Sequence, residues 1–151
     1  MNIPFNSFKE LTEYASSETD NEKYFLNRML DGILEITKEK DILTVYAKNL
    51  FGNYKNLEIV TLTNKNKIIQ SKLILSENKI KVFIFDLDQI EFISLKIPVK
   101  EESVQSELEI VLNNGKKIYL NSNIDTDTHL KERYSNYIKE IARYLTVKEH
   151  L

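Results

Sequence analysis

A chain of 151 residues, 42% hydrophobic, has the length of one domain and enough apolar material for a core. The absence of cysteine excludes disulfides, zinc–thiolate sites, iron–sulfur clusters and thiol nucleophiles. A net charge of -2 argues against a nucleic-acid binder, whose affinity needs a large excess of Lys and Arg.

The segment from residue 5 to about residue 38 is expected to be helical. Phe5, Phe8, Leu11, Thr12 and Ala15 fall at helical spacing, and residues 16–21 form a polar break rich in N-cap types. Phe25, Leu26, Met29, Leu30, Ile33 and Leu34 then make the apolar stripe of a second, amphipathic helix. Gly32 costs that helix about 1 kcal/mol relative to alanine, so it is expected to fray or stop nearby.

Period two takes over near residue 42. Strands are expected over 42–47, 57–63, 67–76, 79–85, 90–97, 104–112 and 116–120. Ile80, Val82 and Ile84 share one face of the fourth, and Pro98, which has no N–H for a ladder, ends the fifth. Asn113-Asn114-Gly115 reads as a tight hairpin turn. Short turns force antiparallel neighbours. A final amphipathic helix places Leu130, Tyr134, Tyr137, Ile138, Ile141, Ala142 and Leu145 on one face, with Asp125-Thr126-Asp127-Thr128 as its N-terminal cap. No repeat, low-complexity tract or linker intervenes. Residues 1–151 therefore read as one domain, with a helical extension at 1–40 and a β-rich body plus C-terminal helix at 42–146.

Little here carries catalytic chemistry. The run Lys81-Val82-Phe83-Ile84-Phe85-Asp86-Leu87-Asp88 resembles the first motif of haloacid-dehalogenase-type phosphatases, where one Asp attacks phosphorus and the next is acid/base beside Mg²⁺. Gln89-Ile90 departs from that motif, and β, β, β, α follows where βα units are needed. Two aspartates in a turn is the preferred reading; a Mg-dependent phosphate-ester hydrolase using Asp86 and Asp88 is the alternative. His129 and His150 have no partner at ligand spacing, and Glu101-Glu102 reads as solvated charge. Three glycines (Gly32, Gly52, Gly115) build no phosphate-cradling loop. No cofactor or metal is expected. The binding candidate is the first strand connection, where Lys48 and Lys55 flank Phe51 and Tyr54. Basic ends with aromatic tips suit a peptide or an anionic lipid, though two lysines at about 1 kcal/mol each are too few for firm membrane attachment. The other reading of Phe51 and Tyr54 is a satellite core under the loop.

Seven short antiparallel strands and a terminal amphipathic helix form the element order of the pleckstrin-homology-like barrel. Asp86-Leu87-Asp88-Gln89-Ile90-Glu91-Phe92-Ile93 resembles the entry to the second sheet in bacterial members. Leu112-Asn113-Asn114-Gly115-Lys116-Lys117-Ile118-Tyr119-Leu120 resembles their last hairpin. The chain is also similar to a small uncharacterised family of low-GC Gram-positive bacteria. There, two short helices precede a segment like Tyr46-Ala47-Lys48-Asn49-Leu50-Phe51-Gly52. These resemblances imply an α+β fold: a seven-stranded antiparallel barrel or sandwich capped by a C-terminal helix, with two N-terminal helices. They imply a non-enzymatic binding module that takes a protein partner or self-associates. In eukaryotic members the first strand connection often carries the basic phosphoinositide-binding residues, which is what the resemblance implies for Lys48 and Lys55. With no signal-peptide pattern and no apolar run near the ~18 residues of a membrane span, the expected compartment is the cytoplasm.

Overall fold

The computed structural model describes residues 6–16, 20–51, 53–100 and 105–148. Phe5, Gly52, Glu101, Glu102, Val104 and His150, all considered above, lie outside these residues. Helix α1 (Phe8–Ala15) starts where the Ser7 hydroxyl accepts from the Glu10 N–H at 3.1 Å. Helix α2 (Asn21–Leu34) starts at Asp20, whose carboxylate accepts from the Lys23 N–H at 2.9 Å. Such a cap satisfies one orphan amide and sets negative charge at the positive end of the helix dipole. Replacing Asp20 with alanine is expected to cost about 1 kcal/mol in a urea titration, and asparagine to restore most of it. As expected, α2 ends close to Gly32, at Leu34. Burial of Met29, Leu30 and Ile33 carries the helix through the glycine itself, whose penalty is about 1 kcal/mol.

The strands are β1 (Ile42–Lys48), β2 (Glu58–Thr63), β3 (Lys67–Ile74), β4 (Lys79–Asp86), β5 (Ile90–Lys96), β6 (Glu107–Leu112) and β7 (Lys117–Asn121). They lie in two antiparallel sheets, ordered β1-β2-β3-β4 and β5-β6-β7. Every strand neighbours the next in its own sheet, as short connections require. Of the expected barrel or sandwich, the structure has two antiparallel sheets that share no ladder among the described residues. The Asn6 carbonyl accepts from the Val45 N–H at 3.0 Å and from the Thr44 hydroxyl at 2.8 Å, which occupies the outer edge of β1. After β4 comes the 3-10 turn Leu87–Gln89, where the Asp86 N–H donates to the Gln89 side chain at 2.8 Å.

The chain forms two compact units, residues 1–85 and 86–151. In the first, α1 packs on α2 and β1, and α2 packs on β3. The N-terminal helices thus belong to the core of the first sheet. Leu11, Leu26, Met29 and Ile33 are buried, as are Val45 and Ile69, which share one sheet face through the register Val45↔Thr61↔Ile69. In the second unit α3 (Lys131–Lys148) packs on β5, β6 and β7. Leu108 pairs with Leu120 and Ile110 with Ile118, and all four are buried with Tyr134, Ile138, Ile141 and Leu145 of the helix. The Ser106 and Ser135 hydroxyls, 2.6 Å apart, pin α3 to the start of β6. The expected cap divides its labour. Asp127 accepts from the His129 N–H at 3.0 Å, while buried Asp125 takes the Asn121 N–H at 2.7 Å and closes the preceding turn. No helix is long and apolar enough to cross a membrane among the described residues.

Candidate functional site

The first strand connection is drawn onto the helices of its own unit. Glu22, in the first turn of α2, accepts from the Tyr14 hydroxyl at 2.8 Å with one oxygen and from the Phe51 N–H at 2.6 Å with the other. The Phe51 ring meets Tyr14 edge-on with centroids 5.5 Å apart, and Lys23 lies 4.9 Å over the other residue of that pair, Tyr14. Asn49 and Phe51 both have positive φ, 70° and 66°. Asparagine tolerates the left-handed region; a phenylalanine there stores strain that its surroundings must hold. The Glu22 carboxylate supplies that hold. Tyr54 stacks on Phe25 of α2 with centroids 6.0 Å apart.

Of the four residues chosen from sequence, Phe51 and Tyr54 therefore pack back against α1 and α2. Lys48 lies 3.8 Å from Glu58 on the adjacent strand, and Lys55 is exposed. They are not gathered into one exposed surface. Glu22 was not legible in the sequence as the hub, because its partners stand 8 and 29 residues away.

Burial and the Glu22 carboxylate both raise the Tyr14 phenol above the ordinary range, and burial does the same to Tyr134. The unfolded phenols ionise near ~10. Stability from both groups is thus complete below that value and is lost as pH climbs through their higher folded values. Phenolate absorbance at 295 nm is expected to rise in two stages, the later one coinciding with loss of helical circular dichroism. A single stage near the ordinary value for all tyrosines would contradict this.

Asp86 ends β4 and Asp88 lies in the 3-10 turn Leu87–Gln89 that follows it. Asp86 forms a reciprocal capping box with Gln89, and Asp88 is exposed. The strands on either side belong to antiparallel sheets. Among the described residues no three His, Asp or Glu side chains are grouped to hold a metal ion.

A larger feature lies elsewhere in the first unit. Alternation along β4 sets Ile80, Val82 and Ile84 on the side that faces α2, and the helix covers them only in part. The result is an open groove. One wall is the α2 flank at Tyr24, Arg28 and Gly32, running on to Leu34 and Ile36; the floor is Ile69 and Leu73 of β3 with the β4 row. Its wider end, bounded by Leu34, Ile36, Ile69 and Ile84, has a volume of about 620 Å³. Along α2 the groove spans about 15 Å from Tyr24 to Leu34, at 1.5 Å per residue. Ile84 is 50% exposed, and Leu34 and Ile36 are 43% and 40% exposed. Gly32 leaves the wall open, since a Cβ built there meets nothing within 4 Å. Charged groups of both signs rim the groove: Arg28, Lys38, Lys65 and Lys67 against Asp31, Glu35 and Asp41. Such a surface is chemically suited to an apolar segment with polar flanks.

No curated protein and no solved structure matches the chain. One family model does match, described as a protein of unknown function (DUF3908), and it spans residues 7–138. The match runs from the cap of α1 through all seven strands into α3, so the chain belongs to the DUF3908 family.

Proposed function

We propose that the protein is a non-catalytic interaction module whose α2–β4 groove takes an apolar segment of a protein partner. The half-exposed row Ile80, Val82 and Ile84 carries this reading. A row of aliphatic side chains facing an open groove loses free energy by staying wet, at roughly 25 cal/mol for each Å² of apolar area. The pleckstrin-homology-like identity belongs to the same proposal. Its support is the element order, two antiparallel sheets followed by a terminal amphipathic helix.

The test is site-specific photo-crosslinking in the cells that make the protein. A benzoylphenylalanine placed at Ile84 is expected to yield a discrete protein adduct, whereas one at Asn136, exposed on α3, yields none. The same adducts from both positions, or none from position 84, would sink the proposal.

A further inference from the structure

Among the described residues the sheets have four outer strands, and three of them are protected against edge-to-edge pairing. β1 is bulged at Leu43 and covered by Asn6. β5 is bulged at Glu91, and β7 has only five residues. β4 has eight residues, closes the order of its sheet, and keeps most of its side chains at least partly exposed. Its guard is lysine, at Lys79 and Lys81. Lysine on an edge discourages pairing, most strongly where pairing would set two of them opposite each other.

We infer that β4 pairs antiparallel with β4 of a second copy of this chain, about a two-fold axis through Val82. This rests on the interaction reading above and adds a partner at the β4 edge, beside the groove. A two-fold perpendicular to the extended sheet keeps like faces together, so residues of the same parity must oppose each other. Centred on Val82, the register sets Ile80 against Ile84 of the copy and Val82 against itself. The two groove floors become one continuous aliphatic strip. On the other face Lys81 falls opposite Phe83 of the copy, and Lys79 opposite Phe85.

No two lysines meet in this register, so the guard is at its weakest. Phe83 already receives ammonium groups within the chain, from Lys72 at 5.9 Å and Lys81 at 5.8 Å. The neighbouring registers are worse. Centring on Lys81 opposes two ammonium groups, and like charges directly opposite are destabilising. Centring on Phe83 sets Ile80 against Asp86 of the copy.

The chain has no cysteine, so a single introduced one reports the register without interference. Directly opposed residues lie about 4.5–5.5 Å apart at Cα, inside the disulfide window of about 4.4–6.8 Å. Val82→Cys is expected to oxidise to a covalent dimer. Ile80→Cys and Ile84→Cys are each expected to stay monomeric alone and to form a mixed disulfide when combined. Light scattering of the unmodified protein is expected to approach twice the 17.8 kDa chain mass as concentration rises. Val82→Lys, which opposes two ammonium groups on the axis at a partly exposed site, is expected to weaken association at least ~10-fold, with circular dichroism unchanged. A monomer at every concentration, or cross-linking that is strongest at Phe83→Cys, overturns the pairing. If position 84 still captures a different protein while the chain stays monomeric, the second-copy assignment falls and the groove reading stands.

Discussion

Replacing Glu22 with alanine is expected to cost about 3 kcal/mol, the largest loss from any single polar residue of the first unit. Its carboxylate is buried and accepts two hydrogen bonds, from the Tyr14 hydroxyl and from the Phe51 N–H. Hydrogen bonds to a charged group contribute about 1.5–3 kcal/mol each, and a stranded buried donor adds its own desolvation cost. The alanine variant also removes what holds Phe51 at positive φ, so the connection between β1 and β2 is expected to loosen. Glutamine keeps acceptor geometry on one oxygen only, so Glu22→Gln is expected to lose about half as much. Urea titration gives the stability, and hydrogen exchange at residues 49–56 reports the loop. A loss below about 1 kcal/mol for the alanine variant would show that the carboxylate is not the hub of this region.

Ile138→Ala is expected to destabilise the second unit by about 3 kcal/mol, within the range of about 2–5 kcal/mol for buried aliphatic truncations. Ile138 is completely buried at the centre of the α3 stripe, among the side chains that cover β5, β6 and β7. The truncation removes transfer free energy and leaves a void, because α3 is pinned at Ser135 and collapses poorly onto the gap. Ile124→Ala removes the same atoms from a side chain that is 62% exposed and is expected to change stability by less than about 0.5 kcal/mol. Amide exchange in residues 107–112 distinguishes the two, accelerating in Ile138→Ala and staying level in Ile124→Ala. Equal effects would mean that α3 is not the cover of this sheet.

Where a feature depended on neighbours within a few residues, it was legible. The alternation of Ile80, Val82 and Ile84 and the turn at Asn113-Asn114-Gly115 predict strands and a hairpin that the structure contains. The polar break before residue 21 supplies Asp20 as a true cap. Where a feature depended on distant residues, local pattern left alternatives open or was silent. Phe51 and Tyr54 read either as tips of a polar loop or as a satellite core beneath it, and only the contacts with Tyr14, Glu22 and Phe25 show them packed against the helices. The strand order left a barrel or a sandwich open, and only the structure shows two sheets that share no ladder among the described residues. The groove beside β4 was half legible: the row was visible in the sequence, but not that α2 would leave it partly uncovered.

By itself the amino-acid sequence determined which segments are helix and strand, that the strands run antiparallel, and that no thiol chemistry is available. Those properties follow from side-chain period, turn residues and composition, which act over a few residues at most. Only the tertiary structure decided that the strands divide into two open sheets, that Glu22 ties the first connection to both N-terminal helices, and that β4 is left as a long outer strand beside a groove. Each of these rests on hydrogen bonds and packing between residues far apart in the chain, whose partners are chosen by the global arrangement and leave no mark on local periodicity.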